Sequence, residues 1–385
     1  MKIALVHDQL QEFGGAERVL VALKQIFPEA DVFTSFYNPQ ALGIHAHHFK
    51  DWNIITSWGD KIGLFKKWYS PLRFLTPFIW EPFNFNDYDL VISSSGSYMC
   101  KGIITKPNTK HICYLHHPPR YLYYYETARE WQKHKPIEIY GHIINHELRQ
   151  WDYLSSQRVD HFIANSEETK KRIEKYYRRD SDVIYPPVTI LDQSSLRGMS
   201  GTNDEEISLG SPRSARDDIY YITTSRLARA KHVDVLIKAA NKHKFKLKVI
   251  GSGRDAENLK AMAGPTVEFL SKVTDAEFEE LYKNAKGYLF ASVDEEFGIA
   301  PVEALGYGIP VIAYASGGLL EIIKPGKNGY LYNELNEDSL LEKMKQFEKL
   351  SEKELLEMRK AARTSAEQYS FANFKKQILE FIKKH

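Results

Sequence analysis

Short apolar runs of strand length recur along the first half of the chain, separated by polar or helix-like sequence. Within each run the apolar residues are consecutive, whereas a strand with one solvated face would alternate apolar and polar positions. Unalternating strands are typical of parallel sheets that helices cover on both faces. The pattern therefore predicts an α/β unit with parallel strands at residues 3–6, 31–34, 90–93, 111–115 and 159–165.

A second set of apolar runs begins after residue 218, with helical sequence between the runs. Its predicted strands are residues 219–223, 245–250, 267–270, 287–290 and 310–313. Between the two sets, residues 191–218 are rich in Ser and Gly and lack periodicity, which is typical of a linker or surface excursion. Two parallel-sheet units joined in this way would leave a cleft at the carboxyl ends of their strands, where such sheets bind ligands.

The composition narrows the class of protein. A chain of 385 residues with 43% apolar residues is long enough for two domains with ordinary cores. The formal net charge of +2 gives no basic field that would favour nucleic acid. Two cysteines, Cys100 and Cys113, indicate a reducing compartment and buried thiols rather than a disulfide. No targeting segment or membrane-length apolar stretch is visible, so the sequence predicts a cytoplasmic protein.

The most informative chemistry lies at residues 294–306. Glu295 and Glu303 stand eight positions apart, with a glycine turn and Pro301, which can sit at the first position of a helix, between them. The start of a helix offers unpaired N–H groups and a positive dipole end, which suit a diphosphate. Carboxylates suit the hydroxyls of a sugar. The stretch therefore suits a ligand that carries both a diphosphate and sugar hydroxyls.

This stretch resembles the E-x7-E signature of family four glycosyltransferases. The resemblance implies the GT-B fold, an α/β architecture of two Rossmann-like, doubly wound parallel-sheet domains that face each other across a cleft. It assigns Glu303 to the ribose hydroxyls of the donor and Glu295 to the hydroxyls of the transferred sugar. The backbone N–H groups that it assigns to the sugar and diphosphate are those of Phe297, Gly298 and Ile299. Glu296 replaces the more usual glycine, as in relatives that use GDP-mannose.

Further donor-binding residues follow from the same resemblance. Arg226 and Lys231 come directly after a predicted strand and match the family's G-R-L-x-x-x-K-G element, although Ser225 and His232 stand where glycines are usual. Their cationic groups can offset the charge of a departing diphosphate. Gly251, after the next strand, matches a G-x-G element of the family. The segment with Lys272 and Val273 resembles the one whose backbone faces the nucleotide base.

The N-terminal half carries weaker elements of the same kind. Gly14 and Gly15 match the family's G-G-x-E loop, with Gly15 expected on the donor side and Gly14 on the acceptor side. His116 matches the histidine of the H-x-P-x-R-Y block of bacterial mannosyltransferases, and His117 is the alternative. Other residues expected on the acceptor side are Arg120 and Asn165. Ser166, which follows Asn165, is also a plausible helix N-cap.

Domain bounds follow from these assignments. We expect an N-terminal acceptor-side domain at residues 1–188, a linker at 189–218 and a nucleotide-sugar-binding domain at 219–365. The resemblance implies that the last helix, within residues 366–385, packs back on the first domain. No cofactor or metal is expected, because the histidine pair at 116 and 117 lacks an acidic or cysteine partner at convincing spacing.

Residues 52–85 are unusually aromatic and basic. Aromatic rings beside lysines suit the interface of an anionic membrane, so this segment could give peripheral contact with the inner face of the cell membrane. A flap packed on its own domain core explains the same composition. The sequence leaves both interpretations open.

The sequence thus predicts a retaining glycosyltransferase that moves mannose from GDP-mannose onto a glycan or lipid-linked acceptor in cell-surface polysaccharide synthesis. Its predicted catalytic residues are His116, Arg226, Lys231 and Glu295. The alternatives are a transferase that uses a UDP-sugar, a nucleotide-sugar epimerase of the same fold, and a sugar-nucleotide-binding protein without turnover. The last of these is disfavoured by the full set of predicted phosphate and sugar ligands.

Overall fold

A computed structural model of the chain describes residues 1–126, 135–190, 219–271 and 273–385. The chain divides into two compact units. The first unit comprises Met1–Pro187 together with Phe371–His385, and the second unit comprises Val188–Ser370. Most of the predicted linker, residues 191–218, lies outside the described residues.

The first unit is built on a parallel sheet of seven strands in the order β3-β2-β1-β4-β5-β6-β7. The predicted parallel sheet is confirmed, and two short strands, β3 and β7, extend it at its edges. The strands are β1 (Ile3–His7), β2 (Asp31–Thr34), β3 (Ile54–Thr56), β4 (Leu90–Ser95), β5 (Lys110–Leu115), β6 (His161–Ala164) and β7 (Ser181–Val183).

Helices cover both faces of this sheet. They are α1 (Gly15–Ile26), α2 (Pro39–Leu42), α3 (Gly63–Trp68), α4 (Thr76–Trp80), α5 (Lys135–Ser156) and α6 (Glu167–Tyr177), with 3-10 turns at Gly43–Phe49, Trp58–Lys61, Arg73–Leu75, Cys100–Gly102 and Arg120–Leu122. Along β1, Leu5 is buried in one apolar cluster and its neighbours Ala4 and Val6 in another. Because successive side chains of a strand point to opposite faces, both faces of the sheet are packed, as its unalternating sequence predicts.

The second unit has a parallel sheet of six strands in the order β10-β9-β8-β11-β12-β13. Its strands are β8 (Tyr220–Thr224), β9 (Lys246–Ile250), β10 (Val267–Leu270), β11 (Gly287–Phe290), β12 (Val311–Tyr314) and β13 (Gly329–Tyr332), of which the last is absent from the sequence prediction. Its helices are α7 (Val233–His243), α8 (Ala256–Met262), α9 (Asp275–Asn284), α10 (Ile299–Gly306), α11 (Leu319–Ile322), α12 (Glu337–Glu348) and α13 (Glu352–Ala366), with 3-10 turns at Arg229–Lys231 and Glu367–Tyr369.

The last helix, α14 (Phe371–Lys384), belongs to the first unit. Its residues Phe374, Ile378 and Phe381 are buried in the same apolar cluster as Leu5, and the rings of Phe374 and Tyr114 meet edge to face. Three residues at spacings of four and three form one stripe of a helix, so this packing uses the amphipathic face that the sequence of α14 carries.

The aromatic segment, residues 52–85, has some aromatic side chains buried in the core of the first unit and others exposed. Trp80 and Phe85 are buried in the core of the first unit, as in a packed flap. Trp68, Phe74 and Phe78 are exposed, with 62% of Phe78 accessible. Among the helices of the described ranges, none combines the length and the apolar character needed to cross a membrane.

The two cysteines are free thiols in the interior of the first unit. Neither Cys100 nor Cys113 is accessible to solvent, and burial raises the pKa of Cys113 to about 12. Their expected role as small buried residues agrees with this environment.

Candidate functional site

Three strand-end loops of the second unit pack backbone to backbone. Leu227 N donates to Ser252 O at 2.8 Å, and Gly251 N donates to Leu270 O at 3.1 Å. Gly251 has a φ of +144°, and a Cβ placed on it would lie 2.0 Å from Ser225 O. Only glycine fits such a contact, so the G-x-G element has a structural reason in addition to its predicted ligand role.

Lys231 and Glu295 come together beside the central strands β8 and β11. Lys231 Nζ donates to Glu295 Oε2 at 2.5 Å and to Ser292 Oγ at 3.3 Å. Ser292 Oγ in turn donates to the same carboxylate oxygen at 2.6 Å. The side chains of Lys231 and Glu295 remain 22% and 16% exposed, whereas Ser292 is buried, so the three residues form a partly exposed polar cluster. We call it the lysine–glutamate cluster.

The backbone around Glu295 is fixed by the loop that follows β12. Gly318 N donates to Glu295 O at 2.8 Å, and Asp294 N donates to Ser316 Oγ at 2.9 Å. Gly317 has a φ of +56°, and a Cβ placed on it would lie 2.0 Å from Glu295 O. The position of the Glu295 carboxylate therefore depends on a glycine pair 22 residues further along the chain.

Helix α10 begins at Ile299, and Gly298 is its N-cap with a φ of +97°. Pro301 was expected at the first helical position, but it is the third residue of the helix. That position is still within the first turn, where an N–H group would have no intrahelical acceptor. The N–H groups of Ile299 and Ala300 consequently lie at the positive end of the helix, beside the loop that carries Glu295.

Glu303 and Phe297 are largely buried in the second unit. The phenol of Tyr288 is buried near Glu303 and Glu295, and burial first, then these two charges, raise its pKa. The ring of Phe297 meets that of Tyr369 edge to face at 5.2 Å, so Phe297 is a core side chain. Its predicted contact with a ligand is therefore a matter of its backbone N–H group.

The remaining donor-side predictions lie in the same strand-end loops or outside the described residues. Arg226 is exposed and belongs to the loop that leads to Lys231. Val273 lies three residues beyond the end of β10 and is partly buried. Lys272 is not among the described residues, so its predicted role stays a prediction.

In the first unit, four buried side chains form a continuous line of hydrogen bonds at the carboxyl ends of β1, β4 and β5. Glu17 Oε1 lies 3.4 Å from His7 Nε2, and His7 Nδ1 lies 3.1 Å from Ser94 Oγ. Ser94 Oγ lies 2.7 Å from His116 Nε2. His116 is 8% exposed, at the end of a line whose other members are at most 7% exposed. We call these four residues the histidine relay.

Asp8 fixes the loop that follows β4. Its carboxylate accepts hydrogen bonds from three backbone N–H groups, those of Gly96 at 2.9 Å, Tyr98 at 2.8 Å and Cys100 at 2.8 Å. A carboxylate with three amide partners is a firm anchor, because each bond is assisted by its charge. Asp8 thus holds the loop next to the strand end that carries His7.

The glycine loop of the first unit is held by one half of a capping box, because glycine has no side chain to accept the second hydrogen bond. Gly14 is the N-cap of α1, and its N–H donates to Glu17 Oε2 at 2.8 Å. Gly15 is the first residue of the helix. The fourth residue of the G-G-x-E element therefore has two partners, the Gly14 amide through one oxygen and His7 through the other.

The residues predicted for the acceptor lie near the ends of β5 and β6. His117 Nδ1 lies 3.0 Å from Pro118 O, and Arg120 begins a 3-10 turn. Asn165 follows β6 and is 7% exposed. Ser166 accepts a hydrogen bond from Thr169 N at 3.0 Å, which confirms its capping role.

Four polar residues of these clusters were missed by sequence reasoning: His7, Asp8, Ser94 and Ser292. The signal for the first two was their place directly after an apolar strand, where parallel sheets collect ligands. Ser94 lies inside a strand and Ser292 in a plain loop, so no sequence pattern distinguishes them. Within the described ranges, no group of three or more His, Cys, Asp or Glu side chains is arranged to hold a metal ion.

Two family models match the chain. The model described as Glycosyltransferase Family 4 matches residues 13–190, and the model described as Glycosyl transferases group 1 matches residues 204–367. The chain is 25% identical over 297 residues to the GtfA subunit of a UDP-N-acetylglucosamine–peptide N-acetylglucosaminyltransferase of Streptococcus pneumoniae. That match covers 74% of this chain and 51% of the relative, so the chain spans about half of the relative's length.

A second relative matches more evenly. The chain is 25% identical over 382 residues to an alpha-1,3/1,6-mannosyltransferase of Candida glabrata, covering 84% of this chain and 78% of the relative. The solved structure of HepE from Anabaena in complex with UDP-glucose has a TM-score of 0.69 to this fold at 18% identity, covering 100% of both chains. These matches, with the two parallel-sheet units, support a glycosyltransferase of the family four type with the GT-B fold.

Proposed function

We propose that the chain is a retaining glycosyltransferase that moves a hexose from a nucleotide sugar onto a glycan or lipid-linked acceptor. The lysine–glutamate cluster carries this proposal. It sets a cation and a carboxylate 2.5 Å apart, both partly exposed to solvent, beside the start of helix α10. A nucleotide sugar has a diphosphate for the cation and the helix start, and hydroxyls for the carboxylate.

In the proposed reaction, the bond between C1 of the sugar and the diphosphate oxygen breaks. The acceptor hydroxyl bonds to C1 on the same face, and its proton goes to the departing diphosphate. Lys231 and Arg226 stabilise the charge that develops on the diphosphate, with the N–H groups at the start of α10. Glu295 holds the sugar hydroxyls and Glu303 the ribose, and His116 is assigned to the transferred sugar as well.

GDP-mannose is the proposed donor. Glu296, acidic where glycine is usual, and the similarity to a mannosyltransferase over 84% of the chain support this choice. A UDP-sugar is the second candidate, because another relative is named for UDP-N-acetylglucosamine and a solved neighbour holds UDP-glucose. Both candidates bind through the same diphosphate contacts, so the donor choice and the reaction class are separate questions.

A thermal-shift screen of GDP-mannose, UDP-glucose and UDP-N-acetylglucosamine tests the donor. A ligand at 100 times its dissociation constant adds about 2.7 kcal/mol to the stability of the unit that binds it, so the true donor raises Tm. We expect the shift with GDP-mannose and its loss in Lys231→Ala. A shift with UDP-sugars alone would overturn the donor choice, and no shift with any nucleotide sugar would overturn the function.

Product analysis separates transfer from epimerisation. Incubation with donor alone leaves the sugar unchanged if the protein needs an acceptor, whereas an epimerase converts it. We expect new glycoside only when lipid-linked or soluble glycan acceptors are added. An inverted sugar configuration in the free nucleotide sugar would instead identify the epimerase.

We further propose peripheral contact with an anionic membrane on the cytoplasmic side. Trp68 and Phe78 of the aromatic segment are 50% and 62% exposed, and Ile139 and Ile143 of α5 are about equally exposed at 61% and 60%. The Tyr140 hydroxyl donates to Pro71 O at 2.5 Å, which joins α5 to the segment. An apolar patch of this kind is typical of an interaction surface.

Co-sedimentation with vesicles of phosphatidylglycerol and phosphatidylcholine tests this contact. The double variant Trp68→Ser, Phe78→Ser is expected to bind about tenfold or more weakly, because each ring contributes about 1.5–3 kcal/mol when it leaves water. Ile44→Ser, which changes a side chain that is 78% exposed outside the patch, is the matched control. Equal binding of the double variant and the control would place the contact elsewhere.

A further inference from the structure

The three residues of the lysine–glutamate cluster are one another's hydrogen-bond partners. Lys231 Nζ and Ser292 Oγ both donate to Glu295 Oε2, at 2.5 and 2.6 Å. Lys231 Nζ also lies 3.3 Å from Ser292 Oγ, so the side chains close a triangle. Both bonds to the carboxylate are assisted by its charge, which makes them the strong contacts of the cluster. A ligand that binds Lys231 must therefore compete with Glu295.

Backbone contacts hold the corners of this triangle in place. Val293 N donates to Ala230 O at 3.3 Å, which joins the loop of Ser292 to the turn of Lys231. Ser292 itself is fully buried, and the carbonyl of Glu295 is fixed by the loop that follows β12. The lysine and the carboxylate consequently separate by rotation of their side chains rather than by movement of the loops.

Partial exposure suits the pair to an exchange of partners. The side chain of Lys231 is 22% exposed and that of Glu295 is 16% exposed. A fully buried pair releases its lysine only at a large cost in free energy, whereas a fully exposed pair contributes too little to influence binding. This pair lies between the two limits. A ligand can open it, and the loss of the contact still affects the affinity for that ligand.

The two members of the pair need opposite kinds of ligand group. An ammonium only donates hydrogen bonds, and a carboxylate only accepts them. A diphosphate supplies acceptors for Lys231, but it repels Glu295 and leaves that carboxylate without its cation. A sugar joined to the diphosphate also supplies hydroxyl donors, which can replace the lysine on Glu295. A diphosphate that carries a sugar therefore suits both residues, and a diphosphate without a sugar suits only the lysine.

We infer that Glu295 competes with the diphosphate for Lys231, so that the cluster favours a nucleotide sugar over the nucleoside diphosphate that is left after transfer. That the ligand is a nucleotide sugar rests on the proposed function. Once the sugar has left, Glu295 loses its hydroxyl donors and recovers Lys231, which weakens the binding of the product. The cluster thereby assists product release, a step that limits the turnover of many enzymes.

Glu295→Gln is the variant that separates this role from a plain sugar contact. Glutamine keeps the size of the side chain and an oxygen for Ser292, but its neutral amide neither repels a diphosphate nor holds an ammonium as strongly. We expect inorganic pyrophosphate and GDP to bind the variant about tenfold more tightly than the parent. GDP-mannose is expected to bind no more tightly, because the gain at Lys231 is offset by the loss of charge-assisted bonds from the sugar hydroxyls.

The chain offers a matched control at the other end of β11. Lys286 directly precedes this strand, and its Nζ lies 3.7 Å from Glu348 Oε1. Ser292 lies beyond the opposite end of β11. Glu348→Gln therefore removes one carboxylate from a lysine pair without touching the cluster, and we expect parental affinity for all three ligands. Tightening equal to that of Glu295→Gln would attribute the effect to net charge and overturn the inference.

The experiment is isothermal titration calorimetry of the full chain with pyrophosphate, GDP and GDP-mannose, at one pH and one ionic strength. If the thermal-shift screen selects another donor, that nucleotide sugar and its nucleoside diphosphate replace the guanine pair. Tm checks that each variant is folded. Glu295→Ala, which removes the carboxylate altogether, is the second variant, with the same expected tightening of pyrophosphate binding.

Unchanged affinity for pyrophosphate and GDP in Glu295→Gln would show that Glu295 does not compete for Lys231, and it would overturn the inference. So would the absence of pyrophosphate and GDP binding in both proteins. Equal tightening of all three ligands would overturn it as well, because general repulsion would then explain the effect without an exchange of partners. If pyrophosphate binds Glu295→Gln more tightly but no nucleotide sugar binds the parent, the proposed function fails and the competition for Lys231 stands.

Discussion

Two lysine–carboxylate pairs, one in each unit, use the same charged groups in different surroundings. Lys101 and Asp152 of the first unit lie 2.7 Å apart with both side chains fully buried. Lys231 and Glu295 of the second unit lie 2.5 Å apart and are partly exposed. Lys101 also donates to Asp152 O and to Ser155 Oγ, each at 2.9 Å, so all three of its donors are used.

The difference separates a structural pair from a ligand site. The Asp152 carboxylate is completed by the hydroxyls of Tyr123 at 2.7 Å and Tyr177 at 3.2 Å, which leaves the buried network no capacity for a ligand. The lysine–glutamate cluster is partly exposed to water, so its ammonium can exchange a carboxylate partner for phosphate. Identical residue types thus acquire different roles through burial and completeness of bonding.

The largest expected effect concerns the buried pair. Lys101→Met leaves the Asp152 charge buried without its cation, which destabilises a protein by about 3–5 kcal/mol. Urea denaturation at neutral pH measures the loss. A change below about 1 kcal/mol would show that the pair is not structural and would remove the contrast.

The same substitution in the second unit is expected to act on turnover. Lys231→Met removes the proposed cation for the leaving diphosphate, and loss of one such group lowers kcat by about 10²–10³-fold. Its unfolding free energy is expected to change less than in Lys101→Met, because the Glu295 carboxylate still has water and the Ser292 hydroxyl as hydrogen-bond partners. Parental turnover in Lys231→Met would contradict the proposed role.

A third test asks whether a buried group outside the ion pairs also acts on stability. Burial lowers the pKa of His111 from 6.5 to about 4, so the folded protein holds it neutral while the unfolded chain protonates below pH 6.5. Its contribution is full above pH 6.5, falls as the pH drops toward 4 and is constant below. At about 1.4 kcal/mol per pH unit, the loss is about 3 kcal/mol.

Urea denaturation between pH 4.5 and 7.5 measures this slope, and His111→Gln provides the reference, because glutamine can still bond Ser93 but does not titrate. We expect the variant to lose about one proton of the pH dependence in this window. Parallel curves for the parent and His111→Gln would mean that His111 is accessible to protons in the folded state.

A fourth test concerns the backbone that holds Glu295. Gly317→Ala places a Cβ 2.0 Å from Glu295 O at a φ of +56°, so both a clash and left-handed strain are expected, about 1–3 kcal/mol together. Gly326→Ala is the matched control, because its φ of +78° imposes strain but nothing lies within 4 Å of the added carbon. Only Gly317→Ala should also weaken donor binding. Equal donor binding in the two variants would show that the loop does not position Glu295.

The smallest expected effect is at a surface pair. Lys238 and Asp234 are four residues apart on α7, with Lys238 Nζ 2.8 Å from Asp234 Oδ2 and both side chains substantially exposed. Lys238→Met is expected to change stability by about 0.5 kcal/mol or less and to keep parental turnover. A loss as large as that of Lys101→Met would show that bonding distance, and not burial, decides the value of a pair.

Much of the fold could be read from the sequence, because a buried parallel strand needs apolar residues on both faces. The strands missed were β3, β7 and β13, which are three or four residues long and lie at the ends of their sheets. At such edges an apolar run is too short to differ from loop sequence. Pro301 was expected at the first position of its helix but is at the third, because a helix tolerates proline throughout its first turn.

The motif residues of the candidate site could also be identified from the sequence, because Lys231, Glu295 and the start of α10 belong to elements with recognisable local spacing. Their partners were not visible in the same way. Ser94 meets His7 across 87 residues and Lys231 meets Ser292 across 61, and a serine at such a distance has no local pattern.

By itself, the sequence determined the two parallel sheets, the ends of strands where polar chemistry collects, and the residue types available there, because these follow from local periodicity and spacing. The tertiary structure alone decided which lysine became a buried support and which stayed open, and which nitrogen of His116 faces Ser94. Burial and hydrogen-bond partners depend on strands that are neighbours in the sheet but far apart in the chain.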